Sequence, residues 1–277
     1  MVGASVLGAI HSRQELPNQD AISWWPESGK EFPLVMSVSD GHGSPKSIRS
    51  QIGSRLAVQN SIEILKEFAE ANPYEENIKK IYERTDKEIS KRIEVLWKES
   101  VNCHLQQFPF TPQELVVLKQ EGAIEPSGSF VGNKFLAYGA TLLGVLLTET
   151  YTLYLQLGDG DILNVTVDGK VCRPIQEDVR NLGNTTTSLC AHSSANEFRI
   201  TVEDTTSSLT SLILLSTDGY ANSFCGESEF FKVGPDLLEI VRSEGVDVIR
   251  ADLEEWLLET TRMGSGDDIT LGIVGRR

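Results

Sequence analysis

The sequence predicts an α+β protein in which sheets are covered by helices. Three observations predict it. Apolar runs of strand length recur along the chain, at 33–39, 151–157, 162–167, 198–202, 212–216 and 269–274. Helical periodicity is confined to two blocks, one before residue 120 and one after residue 236. Three of the strand-like runs end in Asp-Gly, at Asp40-Gly41, Asp159-Gly160 and Asp218-Gly219, while Asp267-Asp268 precedes the last run in mirror order.

The elements follow in order. Residues 5–10 read as a strand, followed by a polar loop over 11–18 that leads to Gln19-Asp20-Ala21-Ile22. The run 33–39 ends at Asp40. A helix is predicted over 45–71, with Ile48, Ile52, Leu56, Ile62, Leu65 and Phe68 on its apolar face. Pro73 separates it from a second helix, whose buried stripe is Ile78, Ile81, Thr85, Ile89, Ile93 and Leu96. A short helix over 112–120 and a Gly/Ser loop over 122–133 follow. From Phe135 the period changes, and 135–147, 151–157 and 162–167 read as a meander. Strands at 198–202 and 212–216, helices at 236–243 and 246–261, and a strand at 269–274 complete the chain. With no repeat, low-complexity tract or linker, residues 1–277 are expected to form one domain.

Composition narrows the function. The chain has 25 Lys and Arg against 40 Asp and Glu, a net charge of −15. A surface this acidic argues against nucleic acids and anionic membranes as partners. Cys103, Cys172, Cys190 and Cys225 have no C-x-x-C spacing, so reduced, buried thiols in a cytoplasmic protein are expected. The N-terminus has no signal-peptide pattern. No run approaches the ~18 apolar residues of a membrane helix.

The acidic motifs carry the chemistry. Asp168-Gly169 lies between two short strand-like runs and reads as an ordinary hairpin turn. Asp40 and Asp218 differ, because a helix entry and a polar loop follow them. Carboxylates at the ends of buried strands are costly unless a cation receives them. Several on one rim would make an all-oxygen site for a hard divalent cation.

The ordered set Asn18-Gln19-Asp20-Ala21, Ser39-Asp40-Gly41-His42-Gly43, Tyr138-Gly139-Ala140-Thr141, Leu157-Gly158-Asp159, Ser216-Thr217-Asp218-Gly219 and Asp267-Asp268-Ile269-Thr270 resembles the PPM family, the metal-dependent (type 2C) serine/threonine protein phosphatases. Its bacterial branch fits best. The resemblance implies a central β-sandwich of two antiparallel sheets flanked by helix pairs. It implies two or three manganese or magnesium ions. Asp40 would bridge two of them, with the Gly41 carbonyl on one and Asp218 and Asp267 on the other. Asp159 matches a third, looser ion. Gln19, Asp20 and Asp268 would support these ligands, and His42 matches the general acid. The activity implied is phosphomonoester hydrolysis by a metal-bridging hydroxide, on phosphoserine or phosphothreonine proteins opposed by a kinase. A monomer is expected.

Two positions depart from the family pattern. Gln19 stands where Glu is usual, and Glu15 stands where the phosphate-binding arginine is usual. Arg13 or Arg49 is then the expected phosphate ligand. The alternative reading is a catalytically weak or silent PPM-like domain that binds phosphoproteins as a regulatory module. His11, in the loop before these motifs, is expected to make a loop hydrogen bond. The polar stretch Asn184 to Ser188 is a candidate flap beside the site.

Overall fold

The computed structural model describes residues 1–276 apart from 74, 76, 126, 127, 132 and 177–185, and omits the side chains of 86 and 87. The first half contains β1 (Val2–Val6), α1 (Ala9–Arg13), β2 (Ala21–Trp25), β3 (Leu34–Ser39), α2 (Ser50–Ala71), α3 (Ile78–Gln107) and α4 (Pro112–Gln120). The second contains β4 (Leu142–Leu147), β5 (Tyr151–Leu157), β6 (Asp161–Thr166), β7 (Val171–Cys172), β8 (Arg199–Asp204) and β9 (Thr210–Ser216). It ends with α5 (Asp218–Ala221), α6 (Glu227–Phe230), α7 (Val233–Ser243), α8 (Val246–Met263) and β10 (Ile269–Gly275).

Among the described residues the strands form two five-stranded sheets, β1-β10-β9-β6-β7 and β2-β3-β4-β5-β8. All pairings are antiparallel. Period-two alternation divides β3 between two cores. Leu34, Met36 and Val38 lie between the sheets with Ile213, Leu215 and Val274. Val35 lies on the other side, in the core shared with Ile64 and Leu65 of α2 and Ile89 and Ile93 of α3. The other sheet buries Leu163, Leu214 and Leu271 against Leu237 of α7 and Leu253 of α8. Helices therefore cover both outer faces. That is why β3, β4 and β5 are buried at every residue and read as continuous apolar runs. Each fully buried Leu or Ile contributes roughly 1.5–3 kcal/mol. Among the described residues no helix is long and apolar enough to cross a membrane.

Several boundaries differ from the sequence expectation, each for a tertiary reason. The first strand is Val2–Val6, not 5–10. Residues 9–13 form a helix whose first N–H groups find partners in the last turn of α8 and the loop after it: Ala9 N donates to Thr261 Oγ1 and Ile10 N to the Gly266 carbonyl. α2 starts at Ser50, five residues late, because Arg49 N is taken by the Ala137 carbonyl. The run 135–147 divides into a 3-10 turn, Lys134–Tyr138, and β4. Phe135 is apolar because its ring packs beside Trp97, 6.1 Å away between centroids. The stripe of α3 continues past Leu96 to Trp97 and Val101, both fully buried. A helix, not a polar loop, follows Thr217. All four cysteines are free, but only Cys190 is buried.

Candidate metal centre

Topology gathers the acidic motifs at one end of the sandwich. β3 and β5 run in the same direction on either side of β4, so Asp40 and Asp159 leave the same edge. The end of β9 lies beside the start of β10, which brings Asp218 to Asp267. The approach is close: a Cβ on Gly219 would stand 2.2 Å from the Asp268 carbonyl oxygen and 3.2 Å from Asp267 Cβ.

Beyond β3 the chain stays paired. Thr141 N donates to the Asp40 carbonyl at 2.8 Å, Asp40 N to Thr141 Oγ1 at 3.0 Å, and His42 N to the Gly139 carbonyl at 3.0 Å. This ribbon accounts for the Tyr138-Gly139-Ala140-Thr141 motif. A side chain at residue 139 would press on the His42 ring, with Cβ 2.4 Å from Cδ2. Gly41 is hemmed in as closely, by the carbonyls of Gln19 and Ser50.

Asp20 and Asp268 are the buried carboxylates behind this rim. Asp20 Oδ2 accepts from Thr217 Oγ1 at 2.7 Å and Thr270 Oγ1 at 2.8 Å. Asp268 accepts from Gly8 N at 2.6 Å, Gln19 N at 2.7 Å and His11 Nδ1 at 2.9 Å. It thereby ties β10, the β1–α1 turn and the Gln19-Asp20 segment together. His11 makes the expected hydrogen bond, from a helix and not a loop.

The rim is a region of mutual repulsion. Burial, then the charges of Asp20, Asp218, Asp267 and Asp159, push the Asp40 carboxyl well above the usual carboxylate range. Asp218 is pushed up to about 6, by burial and then by Asp159 and Asp267. Asp20 is pushed up mainly by burial, against the pull of its two threonine hydrogen bonds. Among the described residues no Lys or Arg pairs with Asp40, Asp159, Asp218 or Asp267. Gln19 Oε1 is buried with no hydrogen-bond partner. An all-oxygen donor set, an orphaned amide oxygen and crowded carboxylates fit hard divalent cations. Among the described residues no three His, Cys, Asp or Glu side chains stand close enough to hold an ion. Asp159 and Asp267 are the exposed members of the set.

His42 stands beside these carboxylates. Its Nε2 is 2.7 Å from Ser188 Oγ, which in turn donates to the Ala140 carbonyl at 3.1 Å. Burial lowers the His42 pKa and Asp159 partly restores it. Ser188 belongs to the candidate flap, of which 184 and 185 lie outside the described residues. Thr187 Oγ1 accepts from Gly158 N at 2.8 Å, next to Asp159.

The structure corrects the assignment of Arg49. All five of its N–H donors are engaged, by both Glu114 carboxylate oxygens, the Phe108 and Pro109 carbonyls and the Tyr138 hydroxyl. Its guanidinium also lies 4.6 Å from the Phe110 ring centroid. Arg49 anchors α4 to the start of α2 and has no donor left for phosphate. Arg13 lies in the last turn of α1, exposed, with Nε on the Ala9 carbonyl at 3.0 Å. Glu15 adopts a left-handed backbone with φ 57°. Sequence reasoning missed the roles of Ser188, Thr217 and Thr270. The two threonines lay inside quoted motifs, where a hydroxyl beside a strand-end aspartate was the available signal. Ser188 fell within the candidate flap, but nothing local pointed to His42, 146 residues away, as its partner.

A β-sandwich with helices on both outer faces and a carboxylate rim at one end defines the class: the PPM phosphatase architecture. Residues 7–258 match the family Protein phosphatase 2C, and the chain belongs to that family. Solved structures agree on the fold. The catalytic domain of the serine/threonine protein phosphatase PstP in complex with two manganese ions is similar at a TM-score of 0.57 and 15% identity, over 98% of this chain and 95% of that one. Stp1 from Staphylococcus aureus is similar at 0.58 and 14% identity, over 100% and 96%. The PstP/Ppp phosphatase of Mycobacterium tuberculosis is similar at 0.54 and 14% identity, over 98% and 95%. No curated protein is detectably similar in sequence.

Proposed function

We propose that the protein is a manganese- or magnesium-dependent phosphatase acting on phosphoserine and phosphothreonine in proteins phosphorylated by an opposing kinase. The observation that carries this reading is the convergence of Asp40, Asp159, Asp218 and Asp267 on one rim with His42 beside them. Asp40, the Gly41 carbonyl, Asp218 and Asp267 would hold two divalent cations, and Asp159 a third. Cations there supply an activated water and neutralise charge on the phosphoryl group.

The protein's own groups do the rest. Burial favours neutral His42, whose ring is oriented by Ser188 through Nε2. Protonated, it can give up a proton to the departing serine or threonine oxygen, and the Ser188 bond must then yield. Asp20, gripped by Thr217 and Thr270, holds the β2 entry against β9 and β10. Gln19 offers its unpaired Oε1 as an acceptor for a bound water. Family membership supports hydrolysis over silent binding.

The test is release of phosphate from a phosphoserine peptide with manganese, magnesium or chelator. Metal-dependent release that Asp40→Asn abolishes supports the proposal. Binding of the peptide without phosphate release under any metal would support the regulatory-module reading instead.

A further inference from the structure

At the pole opposite the carboxylate rim, a cleft of about 450 Å³ opens beside the starts of β3 and β9 and the end of β10, next to α7 and α8. The strands between cleft and rim are six or seven residues long, roughly 20 Å at 3.3 Å per residue. Its walls are apolar, with Phe32, Leu34, Leu212, Leu238, Val246 and Ile273 among them. Lys30, Arg242, Arg250 and Arg276 also line it, and among the described residues no carboxylate does. In a chain with 40 acidic and 25 basic residues, this is a local reversal of charge.

Among the described residues Lys30, Arg242 and Arg276 form no ion pair, and Arg250 forms one with a carboxylate outside the cleft. Arg242 Nη2 donates to the Val167 carbonyl at 2.6 Å and Arg276 Nη1 to the Ser208 carbonyl at 2.9 Å. Each bond fixes one guanidinium N–H and leaves others to a ligand. Arg250 pairs with Asp247, a carboxylate whose side chain is 86% exposed and which is outside the cleft. Lys30 is exposed.

Apolar walls of this volume with a few converging charged groups are the makeup of a small-molecule site. We propose that the cleft binds a small amphiphilic anion, a hydrophobic body carrying one carboxylate or phosphate head. The head meets the Lys and Arg side chains by charge-assisted hydrogen bonds, and the body lies along Leu212, Leu238 and Ile273. The space equals about 15 water volumes, which suits a chain of about ten carbons. The occupant is a free molecule and not a bilayer, because the chain's net charge of −15 repels an anionic membrane. The site is separate from the acidic rim and does not depend on the phosphatase reading.

Calorimetric titration with decanoate and decyl phosphate, below their aggregation concentrations, tests this. Decanol and decyltrimethylammonium serve as controls. One anion per chain is expected, bound at least tenfold more tightly than decanol, with no binding of the cation. Lys30→Gln with Arg250→Gln should weaken decanoate at least tenfold while circular dichroism stays unchanged. Arg276→Gln alone serves if that pair fails to fold. No binding, equal binding of anion and cation, or unchanged affinity in a folded variant overturns the proposal. Recruitment to vesicles of anionic phospholipid overturns the choice of a free molecule.

Discussion

Replacing Asp218 by Asn should make the metal-free protein more stable while it destroys the metal centre. Asp218 has its carboxyl pushed from 3.8 to about 6 by burial and by Asp159 and Asp267. Its folded pKa therefore lies above its unfolded one. The ionised form costs stability above about pH 6, and protonation relieves that cost as pH falls towards 3.8. A shift of this size corresponds to about 3 kcal/mol at 1.36 kcal/mol per unit. Solvent screening at a partly exposed rim reduces it to about 1–2 kcal/mol. Asn keeps the local geometry, since its carbonyl can accept the Asn222 amide now held at 3.0 Å by Oδ2. The assay is urea unfolding at pH 8 and pH 5, in chelator and in manganese. In chelator at pH 8 the variant should be more stable by about 1–2 kcal/mol, and the advantage should shrink at pH 5. Manganese at a hundredfold over its dissociation constant adds about 2.7 kcal/mol to the wild type and much less to the variant, so the order reverses. A variant less stable than wild type in chelator at pH 8, or one that keeps the full manganese gain, would refute the reasoning.

Three further outcomes are expected. His42→Ala should slow hydrolysis of a phosphoserine peptide at least about tenfold more than that of p-nitrophenyl phosphate, because nitrophenolate leaves without a proton and serine alkoxide does not; equal losses would remove the general-acid role. Asp159→Ala should keep two tightly bound ions but slow turnover and raise the manganese requirement, and kinetics like wild type would count against a third ion. Arg49→Met should cost on the order of 3 kcal/mol of stability, by leaving Glu114 and two carbonyls without their donor, with an unchanged KM for phosphopeptide; a raised KM with unchanged stability would restore Arg49 as a phosphate ligand.

Much of this was legible in the sequence, and the reasons are physical. The helix expected over 112–120 has those bounds in the structure, where Pro112 in its first turn and the Thr111/Glu114 capping box fix its start. Asp40, Asp159, Asp218 and Asp267 stood out because ionisable residues rarely end buried strands without a function. The 3-10 turn at Lys134–Tyr138 was read as strand because Phe135 and Leu136 are apolar for packing on α3, not for alternation. Arg49 was misassigned for a related reason. An arginine near a phosphatase motif invites a phosphate role, and nothing local announces Glu114, 65 residues away, as its partner. The bond between His42 and Ser188 is equally nonlocal and needed the fold to be seen.

The central claim is that the carboxylate rim is a two-metal centre. Manganese titration followed by electron paramagnetic resonance tests it most directly, because two ions about 3.5–4 Å apart couple magnetically and isolated ions do not. Wild-type protein should bind at least two manganese ions and give the spectrum of a coupled pair, and Asp40→Asn should abolish the coupling. Binding of single uncoupled ions only, or a coupled pair that survives Asp40→Asn, would contradict the account.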